Sequence, residues 1–159
     1  MSEPDSPPAR DTAGVIAPPP LIYLVPLVAG LLLDRRAPIG GIPSGPAQLL
    51  GTLCLMGFSV AVFAVVAFHR AGTRPEPWKP TTALVTSGPY RFTRNPMYLG
   101  FTLLYLALAL WFGGYWTLLL LPPVLAVMIH GVIRREEAYL SGLFGAEYDD
   151  YRQRVRRWL

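Results

Sequence analysis

Two clusters of polar side chains flank one long apolar run, and each has the residue types to bind or move a chemical group. The first extends from Thr82 to Gly100 and holds Thr82, Ala83, Leu84 and Val85, then Gly88, Pro89 and Tyr90, then Arg94, Asn95, Pro96, Met97 and Tyr98. Gly88 and Pro89 predict a turn. Tyr90 and Tyr98 supply flat faces with hydroxyl tips, Pro96 suits the first turn of a helix, and Asn95 is the candidate N-cap before it. The second cluster is Arg134, Arg135, Glu136 and Glu137, where the apolar run ends. Regular helical spacing puts His130, Arg134 and Glu137 on one face, with Glu136 about 100° away beside Val132 and Ile133. Two adjacent glutamates beside hydrocarbon are costly unless paired or used. Without any chemistry, the same residues would make an interfacial loop, with Arg91 and Arg94 on lipid phosphates, and a salt-bridged helix end.

The elements that must position these clusters are set by composition. Of 159 residues, 52% are hydrophobic and 15% charged, against roughly 25% charged in a soluble domain. No charged side chain occurs from Thr12 to Leu33, from Ala37 to Phe68, or from Asn95 to Ile133. About 20 helical residues cross the hydrocarbon of a bilayer, so the first two blocks predict one span each and the third predicts two. The expected spans are Leu21 to Leu33, extended by residues such as Val15 and Ile16, then Ala47 to Phe68, Met97 to Phe112 and Tyr115 to Ile133. Gly113 and Gly114 join the last two as a helical hairpin. The tail from Arg134 to Leu159 mixes six arginines and five acids with apolar residues, which predicts an amphipathic helix at the interface. The fold class expected is therefore an all-α integral membrane protein of about four transmembrane helices, with a C-terminal hairpin and an amphipathic cytoplasmic tail helix.

Of the 14 basic residues, 12 lie in the head, the second loop and the tail, and two lie between the first two spans. That distribution puts both termini in the cytoplasm and brings the two polar clusters to one membrane face. The net charge of +4 is thus a topology signal, not the footprint of a nucleic-acid partner. The single cysteine, Cys54, lies in an apolar block and can build neither an intrachain disulfide nor a metal cluster.

The run Leu84 to Tyr90, the run Arg94 to Gly100, the pair Glu136 and Glu137, and the later Phe144, Gly145, Glu147, Tyr148 and Tyr151 occur in an order and spacing that resemble the isoprenylcysteine carboxyl methyltransferases and related phospholipid methyltransferases. The resemblance covers roughly Thr82 to Arg157. It implies an S-adenosylmethionine site formed by Thr82, Ala83, Leu84, Val85, Tyr90, Asn95, Pro96, Met97, Tyr98 and Glu136. Two positions depart from the family. Asn95 stands where His is usual, and Val132 falls where the prenylcysteine enzymes carry a substrate-binding arginine. Arg134 or Arg135 is the candidate substitute for it, and the expected catalytic set is Glu136, Glu137 and Arg134.

Methyl transfer from a sulfonium is an in-line displacement that draws much of its rate from positioning, and needs neither a metal nor a covalent nucleophile. An amine acceptor would also need a proton acceptor, for which Glu137 and His130 are candidates. The domain division expected is a disordered tail over 1–17 and one methyltransferase domain over 18–159, with its cofactor core at 82–157. The expected partners are a lipophilic acceptor and membrane lipids. A phospholipid N-methyltransferase, an NADPH-dependent reductase of the sterol reductase type and a non-enzymatic membrane scaffold are the other readings of the same pattern.

Overall fold

The computed structural model describes residues 12–112 and 114–159, and every regular element among them is helical. In chain order these are α1 (Pro19–Arg36), α2 (Ser44–Gly57), α3 (Ser59–Arg70), a 3₁₀ turn (Gly88–Arg91), α4 (Pro96–Phe112), α5 (Tyr115–Met128), a π turn (Ile129–Ile133), α6 (Arg134–Phe144) and α7 (Ala146–Arg154). α2 and α3 run together into one rod, Ser44–Arg70. α5, the π turn and α6 form a second, Tyr115–Phe144. Both rods are long and apolar enough, by length and composition, to cross a membrane. The other two expected spans are shorter or more polar. α4 has 17 residues, about 25 Å of helix, and α1 has 18 but ends in Asp34, Arg35 and Arg36.

α1 to α3 turn many large apolar side chains outward, among them Val25, Leu49, Leu53, Met56 and Phe63. A continuous apolar surface of this kind calls for a nonaqueous neighbour. Inside, Tyr23 and Leu27 of α1 meet Tyr98, Tyr105 and Ala109 of α4, and Leu121, Val124 and Met128 of α5. α4 packs against α2, α3 and α1, whereas α5 packs chiefly against α1. The hairpin expected of α4 and α5 is thus splayed, and α1 contacts both arms. Small residues permit the closest crossings: a Cβ on Gly100 would stand 2.5 Å from that of Ala61, and one on Gly30 would stand 2.7 Å from Thr117 Cα. Backbones approach in this way where membrane helices associate through small residues.

At the end of the bundle remote from the polar clusters, α1 caps α5. The Asp34 carboxylate accepts from the N–H groups of Gly114, Trp116 and Thr117 at 2.7, 3.0 and 3.0 Å. These are donors that a helix start leaves without an intrahelical partner.

Both chain ends differ from expectation. The tail is two helices and an extended end, not one amphipathic helix, because Gly145 adopts φ +53° and breaks the chain between α6 and α7, a conformation glycine tolerates. The extended end then returns to the loop before α4, where Arg94 N donates to Arg156 O at 2.9 Å. Of the expected 1–17 tail, residues 1–11 lie outside the described residues. The rest is packed along the π turn: Ile16 N donates to Gly131 O at 3.2 Å, Arg135 Nη1 donates to Gly14 O at 2.8 Å, and Ala13 is buried.

Candidate active site

The π turn decides which way the glutamates face. Its N–H groups pair five residues back instead of four, which adds a residue to the turn and rotates everything downstream by about 100°. The turn separates His130 from the face that Arg134 and Glu137 share, where both border a groove on α6. His130 and Arg134 are exposed and Glu137 is buried, while Glu136 faces a cavity between α6, the start of α4 and the loop after α3.

That cavity is partly open to solvent. Three separate segments meet in it. Ala83, Leu84, Val85 and Tyr90 come from the loop, Asn95, Met97 and Tyr98 from the start of α4, and Glu136 and Glu137 from α6. Three residues of the expected set stand outside the lining. Thr82 is held by its N–H to Thr73 Oγ1 at 3.0 Å, Pro96 is fully buried, and Arg134 opens onto a separate surface groove with Arg152 and Arg157.

The two glutamates have different surroundings. Glu136 Oε1 accepts from Tyr98 Oη at 2.7 Å. Glu137 is clamped by Arg157, at 2.6 Å from Nη2 and 3.0 Å from Nε, and by Arg94 Nη2 at 3.3 Å. The clamp ties the chain end to α6. Thr93 Oγ1 and Asn95 Nδ2 reinforce it by donating to Arg157 O at 3.1 and 2.9 Å, so the Asn95 side chain, one residue before α4, also holds the tail. The hydrogen bonds that Arg157 donates to Glu137 raise its pKa, against the opposing effect of burial.

An aromatic wall closes another side. Phe68 and Tyr90 meet edge to face with centroids 5.4 Å apart, and Tyr151 Oη donates to Tyr90 O at 2.8 Å. Burial first, then Glu136 and Tyr151, push the Tyr90 phenol well above its ordinary range. Burial and then Glu137 push Tyr148 up to about 12, against the pull of Arg94. Both rings offer flat apolar surface to the cavity.

Arg74, Glu76 and Tyr139 also line the cavity, as do Arg94 and Ala13. Sequence reasoning left them out, and only Arg94 carried a signal, by standing inside the first polar cluster.

Residues 46–147 match the family model described as phospholipid methyltransferase. The chain belongs to the phospholipid methyltransferase family. Within the curated proteins, it is 39% identical over 72 residues to a protein-S-isoprenylcysteine O-methyltransferase of Schizosaccharomyces pombe, a match covering 45% of this chain and 30% of that one. It is 37% identical over 90 residues to methanethiol S-methyltransferase 1 of Bradyrhizobium diazoefficiens, covering 57% and 29%. An uncharacterized protein of Haemophilus influenzae is 44% identical over 63 residues, 40% of this chain and 100% of its own. The matches thus span about 30% of the length of the two relatives named as methyltransferases. No solved structure matches the chain.

Proposed function

We propose that this protein is an S-adenosylmethionine-dependent methyltransferase that acts on a lipophilic acceptor at the cytoplasmic face of a membrane. The observation that carries the reading is the convergence of Ala83 to Val85, Tyr90, Asn95, Met97, Tyr98 and Glu136 on one cavity, in a chain whose family and named relatives are methyltransferases. The donor set fits the cofactor. Glu136 offers a carboxylate for the cofactor's ammonium, and the Phe68 and Tyr90 rings offer an aromatic and apolar wall for its adenine. When bound, the cofactor supplies an activated methyl group on a sulfonium. The chain's own part is to hold donor and acceptor in line and exclude water.

The acceptor side of the reading rests on the helical hairpin at whose mouth, Met97 and Tyr98, the cavity lies. The arms of the hairpin are almost wholly apolar, so binding energy for an acceptor must come largely from burial of hydrocarbon, at about 25 cal/mol per Å². A prenyl or other long-chain carboxylate or thiol fits that requirement, as does a phospholipid amine. Glu137 is clamped between two guanidiniums and Arg134 stands outside the cavity, so Glu136 carries most of the catalytic expectation. The accompanying topology has four spans, with both termini and the loop over 82–94 in the cytoplasm. It treats residues 18–159 as one domain with the cofactor core at 82–157.

Calorimetry on detergent-purified protein tests the cofactor half. Glu136→Gln keeps the side-chain shape but removes a charge-assisted hydrogen bond worth roughly 1.5–3 kcal/mol, so affinity for S-adenosylmethionine falls about tenfold to a hundredfold. Unchanged affinity in this variant refutes the site. A methyl-transfer screen over prenylcysteine, phosphatidylethanolamine and hydrophobic thiols then identifies the acceptor.

A further inference from the structure

Two side chains of opposite charge line the cavity, each partly paired and each keeping buried polar atoms without a partner. Arg94 has a side chain only 10% exposed, with Nη2 engaged by Glu137. Its Nε and Nη1 are buried with no hydrogen-bond acceptor. Glu76, on the loop after α3, has a side chain 33% exposed; its Oε1 accepts from Lys79 Nζ at 2.8 Å, and the Oε2 atom alone is buried without a donor. Both residues line the cavity. About nine in ten buried polar groups are satisfied in folded proteins, and charged ones are the most costly to leave open. A ligand that satisfies both must carry an anion for Arg94 and a hydrogen-bond donor, best a cation, for Glu76.

Resting on the methyltransferase reading above, we propose that Arg94 and Glu76 form the subsite for the zwitterionic amino-acid end of S-adenosylmethionine. Arg94 takes the α-carboxylate, and Glu76 joins Glu136 around the ammonium. An ammonium carries three donors, enough for two carboxylates. Glu137 acts as a positioning residue by holding Nη2, which leaves the other two guanidinium nitrogens to the ligand. A hydrocarbon chain meets neither requirement, and a lone phosphate would satisfy Arg94 but not Glu76. Other sources of the same chemistry in a membrane are the ethanolamine and serine headgroups, the second of which carries the α-carboxylate itself.

The test compares dissociation constants, read by calorimetry, for three nucleosides on the full chain in detergent. S-Adenosylhomocysteine has the whole amino-acid end, S-adenosyl-3-thiopropylamine lacks the carboxylate, and 5′-methylthioadenosine lacks both charged groups. The unsubstituted protein should bind the first about tenfold to a hundredfold tighter than the second. Arg94→Lys should remove most of that difference by weakening only the first. Glu76→Gln should weaken the first two and leave 5′-methylthioadenosine unchanged. Equal loss for all three nucleosides in Arg94→Lys, or indifference of the unsubstituted protein to the carboxylate, overturns the assignment. So does an Arg94 or Glu76 dependence confined to binding of phosphatidylethanolamine vesicles. If Arg94→Lys fails to fold, the nucleoside series on the unsubstituted protein and on Glu76→Gln still decides. Failure to bind any nucleoside would instead remove the methyltransferase reading itself.

Discussion

Tyr98 Oη donates to Glu136 Oε1 at 2.7 Å, linking the first turn of α4 to the first turn of α6 across 38 residues of sequence. The same Tyr98 offers its backbone carbonyl to Tyr23 Oη at 3.3 Å, so one residue joins α1, α4 and α6 at the edge of the cavity. Tyr98→Phe keeps the ring and removes the donor to a carboxylate. Unfolding free energy in detergent should fall by roughly 1.5–3 kcal/mol. A variant as stable as its parent would show that the bond contributes nothing net.

Asp34 serves the opposite end. With Gly114, Trp116 and Thr117 all donating to one carboxylate, Asp34→Ala strands the first-turn donors of α5. The expected cost is about 2 kcal/mol, read as a lower midpoint in chemical denaturation. Affinity of the cavity for S-adenosylhomocysteine should stay the same, since Asp34 does not line it. A change in affinity without a change in stability would mean the two ends of the bundle are coupled.

The α3–α4 crossing depends on a missing side chain. A Cβ at Gly100 would stand 2.5 Å from Ala61 Cβ and 2.9 Å from its backbone nitrogen, so Gly100→Ala should destabilise by about 1–3 kcal/mol through overpacking. Ala61→Gly added to it should restore part of the loss, because the nearer of the two contacts is with a side chain. No rescue in the double variant would place the cost elsewhere.

Glu137 holds the chain end down. Glu137→Ala leaves the Arg94 and Arg157 guanidiniums without their carboxylate; a fully buried pair broken from one side costs about 3–5 kcal/mol, and with the Arg157 side chain 35% exposed the cost should fall at or below the low end of that range. Hydrogen exchange should report it locally, with amides of residues 155–159 and Arg94 N exchanging faster. Protection that persists there would assign the docking of the tail to Thr93 and Asn95 alone.

For topology, a cysteine at Pro80 in a Cys54→Ser background should resist an impermeant thiol reagent in intact cells and react after permeabilisation. Labelling in intact cells would invert the orientation and move the cavity to the other face.

Much of this protein was legible in its residues. Charge-free blocks bounded by Arg, Asp and Gly set where helices begin and end, because an apolar helix needs no partner-specific contact to be favoured in lipid. The cavity residues from Ala83 to Tyr98, and Glu136, could be named from motif order alone. The tertiary structure decided three things that linear spacing does not encode. The π turn at Ile129–Ile133 rotates Glu136 toward the cavity and Glu137 toward Arg157, an offset that no regular period predicts. Gly145 breaks the tail so that residues 155–159 return to Thr93 and Asn95, and such a return depends on long-range hydrogen bonds from Arg94, Thr93 and Asn95. Finally, the open valences of Arg94 and Glu76 exist only once α3, α4 and α6 enclose them. Whether a charged side chain is satisfied is a property of its surroundings, and the chain assembles those surroundings from segments far apart in sequence.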